Sequence, residues 1–403
     1  MGLELKQPTF LIDDLMRIRI NAKAAVQKNR TGVEEYAYQV IKHLTLLPEA
    51  KAHQFFLLVP KGRHEGFDFP LPENFTIKEL YWPLPFFWSQ IRLTLEMLLN
   101  PRDVFFVHVH VLPFFCPKNS VATIHGLEYE HFPQHYPRWG YYYLRWNTKN
   151  VLRRARKIIA VSESTKHDLV KLYKGRADKI SVVLHGYDVR KGELSEKGPE
   201  TQAPSNPSLC SHKNSNLPQN IKKPYLLYIG RIETKKNIQG MLEAFTILKE
   251  KFHVPHKLVL AGGKGYGYKI LHSQLANFKN KADVILTGYF PQAEKQPLLS
   301  NAEVFVFPSF YEGFGIPILE AQASDLPVVT SFVSSMPEVA GGGALFIDPN
   351  NPTQIAEAVY KIISDKAVRD RLIALGQENI KQFSWEKCAR ETLNAIVATR
   401  SIT

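Results

Sequence analysis

Short apolar runs alternate with longer amphipathic segments along most of the chain. In the first half the runs Arg17–Asn21, Phe55–Val59, Val104–Val107, Val121–His125, Lys157–Val161 and Ile180–Leu184 have the length and side chains of strands. Segments of helical period lie between several of them, at Val33–Leu47, Gln90–Leu99 and Tyr142–Arg154. The alternation is cleaner in the second half. Strands are expected at Tyr225–Ile229, Lys257–Ala261, Val284–Leu286, Val304–Phe307, Val328–Thr330 and Ala344–Ile347. Helices are expected at Asn237–Lys251, Gln292–Leu299, Ile316–Ser324, Pro352–Ser364 and Arg369–Gln382. Apolar strands alternating with helices predict a parallel sheet covered on both faces.

From Asp188 to Lys223 the chain turns polar and rich in Ser, Pro, Asn, Lys and Gly, which reads as a linker or insertion. The expected fold is therefore α/β: two Rossmann-like parallel-sheet domains facing across a cleft, with ligands beyond the carboxyl ends of the strands. Residues 1–189 form the N-terminal domain, 190–222 the linker, and 223–384 the C-terminal domain. Residues 385–403 form a last helix placed to pack back on the N-terminal domain.

Composition changes this picture little. A chain of 403 residues with 44% hydrophobic and 22% charged residues has the balance of a globular protein of two or three domains. Charge adds more. The net charge is +13, and residues 1–222 carry 31 Lys and Arg against 21 Asp and Glu. That excess points to an anionic partner or to solubility alone. The three cysteines, Cys116, Cys210 and Cys388, are too scattered for a disulfide framework or zinc site, which fits a reducing, cytoplasmic setting. The N-terminus has no secretory pattern, and the most apolar stretch, Tyr81–Leu99, is broken by Gln90, Arg92 and Glu96.

Candidate chemistry concentrates at strand ends. After the strand ending at Phe307 comes Glu312-Gly313-Phe314-Gly315, and then a helix with Pro317 in its first turn and Glu320 about one turn inside. Glycines let a ligand approach the backbone, free N–H groups at a helix start attract phosphate, and carboxylates accept sugar hydroxyls. Gly230-Arg231 followed by Lys236-Asn237 places a planar fork and a point charge at another strand end, fit for a departing diphosphate. In the first half, Thr31-Gly32-Val33 reads as an anion-tolerant turn, and a simple helix cap fits the same residues. His125 precedes Gly126 at a strand end. His108 and His110 alternate as on one strand face and read as structural. No Asp-x-Asp metal clamp, P-loop, dinucleotide fingerprint or nucleophile elbow is present.

Together these motifs resemble family 4 of the retaining glycosyltransferases, which have the GT-B fold. Glu312 and Glu320 are similar to that family's Glu-x7-Glu pair, and Gly230-Arg231…Lys236-Asn237 to its phosphate-binding segment. Thr31-Gly32-Val33 and Thr123-Ile-His125-Gly126 resemble its N-terminal loop and His strand end. Ala160-Val-Ser162, Leu184-His-Gly186-Tyr-Asp188, Pro327–Ser331 and Met336–Gly341 extend the likeness over nearly the whole chain. The first strand ends Arg-Ile-Asn21 where relatives often have Ile-Asp, and the N-terminal loop has one glycine where many have two.

The resemblance implies roles. Glu320 holds the ribose, and Glu312 contacts the donor hexose with Gly313, Phe314 and Gly315 near the phosphate. Arg231 and Lys236 carry the leaving diphosphate. Thr31 and Gly32 help hold the donor, and His125 lies near the reacting carbon. It implies a metal-independent hexosyltransferase of the mannose or glucose type that needs no cofactor. Its donor is a nucleotide-diphosphate sugar and its acceptor a glycan or lipid-linked saccharide of surface polysaccharide synthesis. Nucleic acid is not an expected partner. Two rivals remain at this stage: a sugar-nucleotide epimerase or hydrolase, and a non-catalytic sugar-nucleotide-binding subunit. The basic residues Arg145, Lys149, Arg153, Arg154, Arg156 and Lys157 crowd one helical stretch. They read either as a solvated face or as peripheral contact with an anionic membrane.

Overall fold

Most of the expected strands are buried on both faces, the edge strand Val284–Gly288 being only partly buried, and two parallel sheets result. The structure, a computed structural model, describes residues 15–28, 30–84, 86–101, 103–187 and 221–400. Most of the expected linker, with Cys210, lies outside them. The chain divides into two units, residues 1–186 with 384–403, and residues 187–383.

In the first unit the chain runs through β1 (Arg17–Asn21), α1 (Gly32–Leu44), β2 (Gln54–Pro60), β3 (Phe75–Leu80), α2 (Leu93–Leu99), β4 (Val104–Val107) and β5 (Ser120–Ile124). It continues through α3 (Glu128–His131), α4 (Arg138–Arg154), β6 (Lys157–Ala160), α5 (Glu163–Tyr173) and β7 (Ile180–Val182). All neighbours are parallel, in the order β3-β2-β1-β4-β5-β6-β7. The second unit holds β8 (Tyr225–Ile229), α6 (Ile238–Glu250), β9 (Lys257–Ala261), α7 (Tyr268–Ala276), β10 (Val284–Gly288), α8 (Gln292–Asn301) and β11 (Val304–Phe307). Then follow α9 (Ile316–Gln322), β12 (Val328–Ser331), α10 (Met336–Ala340), β13 (Ala344–Ile347), α11 (Pro352–Ser364) and α12 (Lys366–Ile380). Its parallel order is β10-β9-β8-β11-β12-β13. The last helix, α13 (Trp385–Val397), belongs to the first unit and packs on α1, β5 and β6. No helix among the described residues is long and apolar enough to cross a membrane.

Besides the short helices α3 and α10, three elements are absent from the sequence expectation. Strand β3 carries Lys78 and Glu79 and pairs only with β2, so its apolar signal is that of an edge. Helix α5 starts where Ser162 Oγ accepts the Thr165 N–H at 3.0 Å, a cap whose helix has a weak apolar stripe. Helix α7 follows a run of glycines that hides its start.

Each face of the first sheet carries its own core. Ile18 and Ile20 face α1 and α13, among Tyr36, Val40, Leu393 and Ile396. The intervening Arg19 points to the opposite layer, as the two-residue period of a strand requires. It is 2% exposed, and its guanidinium meets Asp103 at 2.6 Å, Glu96 at 2.8 Å and Asn100 at 2.6 Å. Lys78 reaches the same Glu96 at 2.7 Å. This network pins α2 to the middle of the sheet.

A second polar feature is a group of imidazoles in the same unit. His108 and His110 follow the last residue of β4, so they do not share a strand face as expected from their alternation. His108 packs edge-on to Phe106 at 4.6 Å, and neither of its ring nitrogens has a hydrogen-bond partner. Tyr36 lies 4.8 Å from the His125 ring and 4.7 Å from that of His185. Burial lowers the pKa of all four histidines: His108 to about 3, His110 and His125 to about 4, and His185 well below its ordinary value.

Two outcomes are expected. Glu96→Ala leaves Arg19 with less counter-charge and costs about 3 kcal/mol in urea unfolding, while the paired change Arg19→Met with Glu96→Leu costs less. The histidines make the first unit acid-sensitive. Their folded pKa values lie below the unfolded ~6.5, so the unfolded chain binds more protons in acid. Stability is full above pH ~6.5 and is lost toward pH ~4, at up to about 1.4 kcal/mol per pH unit for each ring. Melting temperature against pH measures this, and His108→Leu should flatten the slope; a slope unchanged by it would contradict the assignment.

Candidate active site

The carboxyl ends of β8 and β9 approach too closely for side chains. Gly262 has φ +147°, and a Cβ there would fall 1.9 Å from the Gly230 carbonyl oxygen. The Gly230 N–H donates to Ala261 O at 2.9 Å, and the Gly262 N–H to Gly288 O at 3.1 Å, so the ends of β8, β9 and β10 form one bare backbone rim. The segment after β8 is then held by the segment after β9, where the Ile232 N–H donates to Gly263 O at 2.9 Å. The glycine run Gly262–Gly267 therefore shapes the loop that carries Arg231 and Lys236.

Lys236 ends a 3-10 turn before α6, whose N-terminus is capped by Asn237. Its ammonium lies 2.5 Å from Glu312 Oε1 and 5.4 Å from the Phe307 ring. Both charged side chains are nearly buried, at 13% and 11% exposure. The Glu312 backbone is fixed from below. Its N–H donates to Ser334 Oγ at 3.2 Å, and Ser335 Oγ reaches the carbonyls of Glu312 and Phe314 at 2.9 and 2.6 Å. Gly315, at φ +111°, turns the chain into α9, with Phe314 buried behind it. Gly313 is partly exposed between Glu312 and Phe314. Arg231 is exposed, and its guanidinium has no ion-pair partner among the described residues.

Glu320 sits in α9 and pairs with Lys295 of α8 through Oε1. Its Oε2 is buried and accepts no hydrogen bond. The structure thus brings Glu312 together with Lys236 and gives Glu320 a separate cation. Lys295 was missed in the sequence because α8 shows no motif of its own. Ser334 and Ser335 stand directly before the quoted Met336–Gly341 segment, which was the available signal. A cavity of about 410 Å³ beside the β8 loop is lined by Ile232, Asn237, Leu271 and Phe310 and by none of the site residues expected from the sequence. Among the described residues no group of three or more His, Cys, Asp or Glu is arranged to hold a metal ion.

The other expected residues lie in the first unit. Thr31 precedes α1, and the Glu34 carboxylate accepts both its N–H at 3.3 Å and its hydroxyl at 2.6 Å. Gly32 opens the helix with nothing within 4 Å of where a Cβ would stand, so packing does not demand glycine there. His125 follows β5, with Nε2 2.7 Å from the His108 carbonyl oxygen. A carbonyl only accepts, so Nε2 carries the proton and Nδ1 is an acceptor. With its pKa lowered to about 4 by burial, the ring is neutral at pH 7.

The sequence and the fold were compared with known proteins. The family model described as "Glycosyltransferase Family 4" matches residues 30–191, and that described as "Glycosyl transferases group 1" matches residues 212–379. O-antigen chain mannosyltransferase B of Escherichia coli is 29% identical over 379 residues, covering 91% of this chain and 95% of its own length. Among solved structures, sucrose-phosphate synthase from Thermosynechococcus elongatus superposes with a TM-score of 0.68 at 17% identity, covering 94% of this chain and 98% of its own. Anabaena Alr3699/HepE in complex with UDP-glucose superposes at 0.63 with 15% identity, covering 94% and 99%. With the two family models matched over most of its length and two parallel sheets of GT-B type, this chain is a member of glycosyltransferase family 4, the group 1 glycosyl transferases.

Proposed function

We propose that this protein is a retaining, metal-independent hexosyltransferase. It moves mannose from a nucleoside-diphosphate sugar to a glycan or lipid-linked acceptor in surface polysaccharide synthesis. The observation that carries the reading is the Lys236–Glu312 pair with the exposed Arg231, which has no ion-pair partner among the described residues, after the glycine rim of β8 and β9. The near full-length likeness to an O-antigen mannosyltransferase favours mannose over glucose.

Lys236 has three N–H donors and uses one on Glu312, leaving two for a diphosphate. Arg231 adds a planar fork. Both stabilise the charge that grows on the leaving group, the task a divalent cation performs elsewhere. Glu312, held in place by Lys236, offers its second oxygen to a hexose hydroxyl. Glu320 offers Oε2 to the ribose, the one buried acceptor in the pair without a donor. Gly313, Phe314 and Gly315 leave backbone free near the phosphate. Thr31 and Gly32 are assigned to donor binding, and His125 to the hexose, where Nδ1 accepts a hydroxyl proton.

The bond between the anomeric carbon and the diphosphate oxygen breaks as the acceptor oxygen attacks the same face. The leaving phosphate oxygen takes the acceptor proton, so configuration is retained. The scheme calls on no covalent nucleophile.

Donor binding, turnover, metal dependence and product stereochemistry each test it. A thermal-shift screen of sugar nucleotides should single out one mannose donor, since bound ligand stabilises the fold by mass action. Arg231→Ala removes an exposed side chain, so it should leave melting unchanged while lowering kcat about 10²-fold or more. A folded Arg231→Ala enzyme with parental turnover would sink the diphosphate assignment. Chelator should leave turnover intact, and NMR of the product should give the donor's anomeric configuration; a metal requirement or an inverted product would overturn those parts. Release of free sugar or an epimer without acceptor would favour a hydrolase or epimerase instead.

A further inference from the structure

Helix α4 sets Leu144, Val151 and Leu152 on the core but turns most of its aromatic rings outward. Its buried residues are Asn147, Thr148, Asn150 and Val151, three of them polar. Its exposed face carries Trp139, Tyr142, Tyr143 and Trp146, with Trp139 76% exposed. The face then continues into Lys149 and Arg153. A surface helix of a globular protein normally turns its apolar stripe to the core.

Helix α2 buries Leu93 and Met97 together with Glu96, and still leaves Leu95, Leu98 and Leu99 exposed, Leu99 at 78%. Ahead of them Phe86 and Phe87 are exposed, 5.1 Å apart edge to face, with Phe87 in the left-handed backbone region at φ +60°.

The two helices are neighbours. Gln90 Nε2 donates to Tyr143 Oη at 3.2 Å, the Phe115 N–H donates to Thr94 Oγ1 at 3.1 Å, and the exposed Phe114 lies 6.2 Å from Trp146. These contacts join the two outward faces through the segment around Phe114 into one apolar surface, a patch larger than scattered surface residues produce.

Charge on this surface has one sign. Between residues 80 and 127 the only acids are Glu96 and Asp103, both buried against Arg19. Helix α4 contains no acid at all. Three of the basic residues crowded in the sequence are engaged within the fold. Arg145 pairs with Glu130 at 2.9 Å, Arg154 donates to the Phe114 carbonyl at 2.6 Å, and Lys157 donates to the Asp178 carbonyl at 3.1 Å. Arg138, Lys149 and Arg153 remain exposed, without an ion-pair partner among the described residues.

We infer that the outward faces of α2 and α4 dock the protein on an anionic lipid bilayer, aromatic rings in the headgroup region and Arg138, Lys149 and Arg153 on lipid phosphates. Trp and Tyr rings with cations beside them and no carboxylate suit that interface. A second copy of the chain suits it less: a two-fold contact sets each patch against itself and offers the cations no counter-charge. The inference goes beyond the transfer reaction and does not depend on it.

The test is flotation of the full chain with vesicles of phosphatidylcholine alone and of phosphatidylcholine with phosphatidylglycerol. The expected result is binding to the anionic vesicles, weakened by salt, with a blue shift of tryptophan emission. Trp139→Ser with Trp146→Ser and, separately, Lys149→Gln with Arg153→Gln should each reduce binding roughly tenfold or more. Both variants should keep the parental melting temperature and the parental thermal shift with sugar nucleotide, which separates this surface from the donor site. Absence of binding and of a blue shift in the parent would overturn the inference, whatever the variants do. So would anionic binding that neither pair of substitutions weakens, or a dimer that the tryptophan pair dissociates.

Discussion

The ammonium of Lys236 and the carboxylate of Glu312 fix the loop after β8 to the loop after β11. Two charges this deeply removed from water lose much hydration, which only good geometry and further partners offset. The Phe307 ring beneath Lys236 and the hydroxyls of Ser334 and Ser335 around the Glu312 backbone supply those partners. The pair is therefore a positioning device as well as a source of charge. It holds a donor-rich ammonium and an acceptor oxygen a few ångströms apart before any ligand arrives, which is what electrostatic preorganisation requires. The glycine rim makes the arrangement possible, because only bare backbone lets the ends of β8 and β9 pass so closely.

Glu320 follows the same logic with a different outcome. Lys295 neutralises one oxygen and leaves the other buried and unanswered. A buried acceptor without a donor is unusual enough to need a reason. A sugar hydroxyl provides one in the proposed reading. The division between a phosphate-side and a ribose-side carboxylate then rests on different cations from different elements, and the two glutamates are not interchangeable.

In the first unit, polar groups face inward and apolar groups outward more than the fold itself demands. Arg19 with Glu96 and Asp103 anchors α2, and the polar inner face of α4 carries Asn147, Thr148 and Asn150. Turning α2 so that its exposed leucines faced inward would take Glu96 away from Arg19, and turning α4 would take Asn147 and Thr148 away from Gln90 and Tyr129. The buried network and the exposed apolar surface are thus two sides of one choice. The neutral imidazoles around Tyr36 add a second buried polar group whose uncharged state is required by its surroundings.

Strand after strand was legible because parallel sheets bury both strand faces and leave unbroken apolar runs; β1, β4, β8, β9, β11 and β13 fall where those runs lie. The edge strand β3 was not, since its Lys78 and Glu79 interrupt the run. In the candidate site the residues on short motifs, Glu312, Glu320, Arg231 and Lys236, stood out because strand-end turns fix both spacing and side-chain type. What the sequence left open was partnership. That Lys236 meets Glu312, that Lys295 meets Glu320, and that Gly262 lies under Gly230 depend on strand order β9-β8-β11, which brings together residues from 25 to 76 positions apart. Periodicity also told that α4 has a striped surface but not which stripe is buried. That was decided by what the rest of the fold presents to it: Gln90 and Tyr129, whose hydrogen bonds a leucine or tryptophan could not answer.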